Sequence, residues 1–339
     1  MAASLYFEDH SGRHKIKTST PASTPKLSQL PKPSARFPYE FQQIPRYYKS
    51  FSKYLEKKIN IYKCLQTVEQ LLVEKGRTIP DSNLIIIDED LKVVSADSKP
   101  LLFFFKRGLQ RPFGIDPSAK GYEALKDFVQ AYPPPKPANS DARHYGHTES
   151  PENGVYHICI WQATGHESEK KALETITKGA VLSAEARNAG YKANAVAIVM
   201  KGLTPVIQAC GALFEVADKA NYHRYKSLYD TIAGNSALCW LQTTSRNCFL
   251  GMAILVGLCC KPHRDVRDTM DGWVADTVFG DFDGGLLKVP QVGRQFRLQQ
   301  GDVIFMRSAL LQHAVSPTTR GKRFGMVLFT HQMMHSSLG

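Results

Sequence analysis

The chain has 339 residues, 43% hydrophobic and 22% charged, enough for a substantial buried core and too apolar for an acid-rich disordered protein. Lys and Arg number 43 against 31 Asp and Glu, a formal charge of +12, which makes a polyanionic partner worth testing without establishing one. Seven cysteines without a CxxC pair, and a start lacking the basic and apolar regions of a secretory signal, predict free thiols in an unsecreted protein, nuclear or cytoplasmic.

Residues 1–36 carry six Lys/Arg against Glu8 and Asp9 among Ser, Thr and Pro, and read as a disordered basic arm. Order is expected from Phe37. Residues 46–76 read as one helix, with Tyr54, Leu55, Ile59, Tyr62, Leu65, Val68, Leu71 and Leu72 at spacings of three and four. Strands are predicted over 83–87, 91–94 and 101–105, then a helix over 117–132 ended by Pro133-Pro134-Pro135. A loop follows over 133–153. Residues 37–150 are thus expected to form a helix-and-strand region packing on a core at 151–339.

Further on, a strand is predicted at 155–161, a helix at 167–187, and two helices between Pro205 and Ile232. The most apolar run, Phe249 to Cys260, has 12 residues and is too short to span a bilayer, so no membrane partner is expected. From Phe249 the texture changes to short strands at 249–258, 273–279, 285–289, 295–298, 302–306, 311–315 and 322–331, broken by glycines. Strands at that spacing predict a sandwich or barrel, making the chain α+β.

Inside this β-rich end lies Lys261-Pro262-His263-Arg264-Asp265. In extended backbone, residues two apart share a face, so His263 and Asp265 can reach one point. Fifty residues on, His313 follows the strand Gly301 to Met306. Two imidazoles and a carboxylate make the facial triad that holds Fe(II) and leaves three positions open. Ten residues past His313, Arg323 can clamp a distant carboxylate bidentately. Each part alone reads equally as a hydrogen-bonded turn or a core histidine; the joint pattern is much rarer.

Lys261 to His331 resembles the core of Fe(II)/2-oxoglutarate dioxygenases, a double-stranded β-helix (jelly roll), and more narrowly the TET/JBP branch that oxidises the 5-methyl group of DNA pyrimidines. The resemblance is carried by Lys261-Pro262-His263-Arg264-Asp265, Phe279-Gly280-Asp281-Phe282-Asp283-Gly284-Gly285-Leu286-Leu287, Gly301-Asp302-Val303-Ile304-Phe305, His313, and Arg323 through His331. It implies His263, Asp265 and His313 as iron ligands and Arg323 as the 2-oxoglutarate clamp, with O2 as the second cosubstrate. It further implies base recognition by Phe329 (stacking), His331 (a hydrogen bond to the base edge) and Asp268 (accepting from the cytosine amino group). A carboxylate there suits cytosine and not thymine.

The expected activity is oxidation of 5-methylcytosine in a methylated DNA duplex by base flipping, performed by a monomer. Arg264, Arg267 and Lys261 would take adjacent phosphates. The long insert of animal TET enzymes is absent, and so is a cysteine-rich zinc module. An upstream amide contact to the base is expected, with Asn188 and Asn194 as candidates. Two rival readings remain open: an oxygenase of the same kind acting on N-methylated bases such as N6-methyladenine, on RNA, or on a protein or small molecule; and a non-catalytic β-barrel interaction protein.

Overall fold

Alternating burial along the last strand explains the architecture around it. In β17 (Phe324–Phe329), Phe324, Met326 and Leu328 are buried on one face, while Gly325, Val327 and Phe329 line a cavity on the other. A strand with work on both faces needs a cover on both. The computed structural model describes residues 44–74, 80–135, 144–145, 153–162, 180–182, 191–233 and 246–335, and they supply that cover.

The larger sheet has nine strands. Its spatial order is β1 (Asn60–Lys63), β3 (Leu91–Val94), β4 (Pro100–Phe105), β14 (Val303–Met306), β10 (Val274–Phe279), β17, β8 (Gly251–Val256), β6 (Gly154–Gln162) and β7 (Ala180–Leu182). The smaller has six: β2 (Ile85–Ile87), β13 (Arg294–Phe296), β12 (Leu287–Val289), β15 (His313–Val315), β9 (Cys259–His263) and β5 (His144–Tyr145). A two-stranded ribbon joins β11 (Phe282–Gly284) to β16 (Thr318–Gly321). The chain passes repeatedly between the sheets, as a double-stranded β-helix does, and both expectations, α+β and jelly roll, hold. Strands from residues 60–105 extend both sheets.

The helices α1 (Ile44–Lys57), α3 (Ser118–Ala131), α4 (Tyr191–Ala217) and α5 (Lys219–Ala233) accompany the larger sheet. The contact of α4 with it is aromatic: Phe214 stacks on Phe249 and Phe305 at centroid distances of 5.5 and 5.7 Å; beside them Phe103 of β4 lies 5.4 Å from Trp273, which leads into β10. Burying each such ring is worth about 1.5–3 kcal/mol.

Four sequence expectations need correction. Residues 46–76 are not one helix: α1 ends at Lys57, β1 pairs in parallel with β3, and α2 (Val68–Val73) begins at a capping box between Thr67 and Gln70. The stretch Asn60 to Lys63, with Ile61 and Tyr62 at its centre, pairs its backbone in the sheet, and spacing alone does not distinguish this from a helical stripe. The helix starting at Pro205 instead starts at Tyr191 and runs through that proline. Losing one backbone donor costs about 3 kcal/mol, and the burial of Leu203, Val206, Ile207, Cys210, Leu213 and Phe214 offsets it. This also makes Ala195–Ala217 a 23-residue segment long and apolar enough to cross a membrane, 67% of it buried within the protein. Where a helix was expected over 167–187, residues 180–182 form β7; the remainder lies outside the described residues, as does the basic arm. Finally, the expected loop at 133–153 contributes β5, which pairs His144 and Tyr145 with Cys260 and Cys259.

Candidate active site

β9 and β15 are antiparallel neighbours with His263 opposite His313. That register sets the imidazoles side by side, centroids 4.3 Å apart. Beyond His263 the chain leaves the sheet, and the Asp265 N–H donates to the Ser308 carbonyl at 3.1 Å. The turn brings the carboxylate back over the rings: Oδ1 lies 3.6 Å from His263 Nε2 and Oδ2 lies 3.5 Å from His313 Nε2. One donor atom from each of the three residues lies within 4.8 Å of the others.

The strands also fix the tautomers. His263 Nδ1 is 2.8 Å from the Lys261 carbonyl, and His313 Nδ1 is 3.1 Å from the Leu311 carbonyl. A carbonyl only accepts, so each Nδ1 carries the hydrogen and each Nε2 turns its lone pair towards Asp265. Two imidazole lone pairs and a carboxylate converging on one point suit a divalent cation, and a set of two histidines and one carboxylate fits Fe(II) with positions open.

Arg323 enters the same cavity, which has a volume of about 620 Å³. Its side chain is buried, and glycine makes the room: a Cβ on Gly285, whose φ is +60°, would stand 2.7 Å from Arg323 Cδ. The guanidinium reaches forward along β17, its Nη1 lying 3.2 Å from where a Cβ on Gly325 would be. Arg323 Nε is buried with no hydrogen-bond partner among the described residues. A buried guanidinium in that state is costly unless an anion completes it, which a keto acid carboxylate would do.

The three residues expected to read a base also line the cavity. Asp268 is buried; it accepts from Ser308 Oγ at 2.9 Å and forms an isolated antiparallel bridge with His331. His331 Nδ1 lies 3.6 Å from Asp268 Oδ1, and burial holds the imidazole below its ordinary pKa, so the ring is neutral at pH 7. The Phe329 ring stands 5.1 Å from that of His331.

Not every expected residue falls into place. Lys261 and Arg267 are exposed, Arg267 at the cavity, but Arg264 is half-buried and donates from Nη2 to the Leu71 carbonyl at 3.1 Å. That arginine fastens α2 to the loop carrying Asp265, a role the sequence does not announce. Asn188 and the side chain of Asn194 lie outside the described residues.

Other cavity residues are absent from the sequence reading. His157 of β6 and Asp276 of β10 line it, and Ser308 ties Asp265 and Asp268 together behind it. Asp276 had a signal: it alternates with Val274 and Val278 on the inward face of an otherwise apolar strand. Burial pushes its carboxyl up to about 6, with Arg323 acting in the opposite direction.

No protein-family profile and no curated protein matches this sequence. Among solved structures, the chain resembles NgTET1 in complex with 5mC DNA, with a TM-score of 0.52 and 15% identity over 87% of this chain and 91% of that one. A Pseudomonas putida prolyl-4-hydroxylase overlaps at a TM-score of 0.34 and 12% identity, over 68% of this chain and 93% of that one. A Burkholderia pseudomallei oxidoreductase of the 2OG-Fe(II) oxygenase family overlaps at 0.32 and 13%, over 80% of this chain and 94% of that one. The likeness to NgTET1 is one of fold; the other two scores are too low to carry an argument.

Proposed function

We propose that the chain is an Fe(II)/2-oxoglutarate dioxygenase that oxidises the methyl group of 5-methylcytosine in DNA. The observation that carries this reading is one cavity holding both His263, Asp265 and His313 and the underused guanidinium of Arg323, with Asp268, Phe329 and His331 on its walls. Iron bound by the trio, with 2-oxoglutarate and O2, would supply the oxidant for a methyl C–H bond.

The chain's own residues do the placing. Arg323 holds the distal carboxylate of the keto acid. Extruding a base from a duplex costs a few kcal/mol, and stacking on an aromatic returns about 1–3 kcal/mol per base. Phe329 would provide that face. Asp268 accepts from the exocyclic amine, its other oxygen already steadied by Ser308 Oγ. Neutral His331 meets the base edge, and the exposed Lys261 and Arg267 take flanking phosphates.

The test is nucleoside mass analysis after incubating methylated and unmethylated duplexes with protein, Fe(II) and 2-oxoglutarate in air. Hydroxymethylcytosine formed from the methylated duplex alone is the expected result. If 5-methylcytosine survives while 2-oxoglutarate is consumed with an N-methylated base, RNA or another substrate, the DNA reading is overturned and the broader oxygenase reading stands.

A further inference from the structure

Three carboxylates line the cavity, and two have occupations: Asp265 faces the histidines, and Asp268 is held by Ser308 and bridged to His331. Asp276 has none in the reading above. It projects inward from β10, opposite Val327 of β17 and Ile304 of β14. Its Oδ1 is buried and has no hydrogen-bond partner among the described residues, as is true of Arg323 Nε in the same cavity. Such a pair of unsatisfied atoms is expensive in a closed protein and sensible in a site that completes itself on binding.

The charge count sharpens the point. Ionised Asp276 cancels the charge of Arg323, so the distal carboxylate of a keto diacid would meet a site of no net charge and a second carboxylate nearby. Two carboxylates in one low-dielectric site do not both stay ionised; one takes a proton. We infer that Asp276 is a second reader of the cosubstrate's distal carboxylate: a keto diacid binds together with one solvent proton, which sits on Asp276. No bond in the keto acid changes. The protonated carboxyl is a donor where the ionised one only accepts, so it can join Arg323 in holding the diacid. Burial already brings the Asp276 carboxyl to about 6, within easy reach of neutral pH.

Other titratable groups share the surroundings and must be separated from it. They are His263, Asp265 and His313, Asp268 and His331, His144 of β5, His157 of β6, and Cys210 of α4, whose buried thiol is raised far above the range in which it would ionise. All of them remain in Asp276→Asn, which therefore isolates the carboxyl.

The inference rests on the cosubstrate reading above and is tested by calorimetry rather than turnover. The full chain with saturating Mn(II) is titrated with 2-oxoglutarate between pH 6.5 and 8.5, in buffers of different ionisation enthalpy. The wild type should take up about one more proton per ligand than Asp276→Asn, and its affinity should fall with pH towards tenfold per unit, by linkage. Asp276→Asn should bind with an affinity nearly level over that range and tighter than the wild type at pH 8.5. The wild type titrated with 2-oxobutyrate, which lacks the distal carboxylate, should take up no such proton, a comparison that needs no variant. Equal uptake with both keto acids, or uptake that survives in Asp276→Asn, overturns the inference and leaves the cosubstrate reading intact. No 2-oxoglutarate binding by the wild type at any pH overturns the cosubstrate reading and the inference with it.

Discussion

Gly251 lies directly beneath the ring of Phe329: the two are cross-strand partners, and a Cβ at 251 would stand 2.6 Å from Cε2 and Cζ of the phenyl group. No side chain fits there without moving the aromatic. Gly251→Ala should therefore tilt Phe329 and lower turnover of a methylated duplex about tenfold or more, while leaving 2-oxoglutarate affinity unchanged. The overpacking should cost about 1–3 kcal/mol of stability. Steady-state kinetics alongside thermal melting checks both, and unchanged turnover would remove Phe329 from base recognition.

Asp265→Ala removes one of the three donors proposed to hold the metal and little packing, since Asp265 is only half-buried. The metal-free melting temperature should stay within a few degrees of wild type. Added Fe(II), kept anaerobic, should raise the wild-type melting temperature and leave the variant unmoved, because only a ligand that binds the native state stabilises it.

Asp268→Ala should separate two activities. Decay of 2-oxoglutarate without substrate should persist, because the trio and Arg323 are untouched, while selectivity for cytosine falls. Loss of the Ser308 hydrogen bond should cost about 1 kcal/mol. Parallel succinate and nucleoside measurements check this; equal loss of both would return Asp268 to a structural role.

Stability should carry a pH signature of Asp276. Its folded-state pKa of about 6 lies above the ordinary carboxylate range, near 4. Protonation-linked stability is then fully present below about pH 4 and lost as pH rises through 6. The two-unit difference amounts to about 2–3 kcal/mol. Asp276→Asn has no such loss and should melt a few degrees above wild type at pH 8, with the gap closing by pH 4.

Arg267 and Arg264 should behave differently despite their shared charge. Arg267→Gln should weaken duplex binding irrespective of sequence and reduce the slope of log K against log salt by about 0.9. Arg264→Gln should instead lower the melting temperature and leave that slope nearly unchanged, since Arg264 is half-buried and holds the Leu71 carbonyl. Binding isotherms at several salt concentrations resolve the two.

Which parts of this were readable beforehand follows from how far apart the cooperating atoms are in sequence. His263 and Asp265 announce themselves because two-residue spacing on extended backbone is local chemistry. His313 and Arg323 become legible only as additions to that pair. Asp276 shows in the sequence only as a lone charge in an apolar strand, and His157 not at all, since which way each faces depends on the strands that flank β10 and β6. The same holds for Ser308, which matters because the Asp265 N–H and the Asp268 carboxylate both come to it. Helix boundaries fail for a related reason: Pro205 is a local stop signal that tertiary burial overrules, and Asn60 to Lys63 forms a strand whose partner lies some thirty residues on.

The place of β14 between β10 and β4 bears on how this protein can be cut. β4 comes from residues 100–105, far upstream of the metal loop, yet it pairs along β14 from Val303 to Met306. A fragment beginning at residue 151 would leave that flank of β14 with unpaired amides and carbonyls on a fully apolar strand, an edge inviting self-association. Limited proteolysis that trims the termini should leave an active particle. A fragment that keeps every metal ligand but loses β4 should be insoluble, so the smallest working piece is set by sheet closure rather than by the reach of the chemistry.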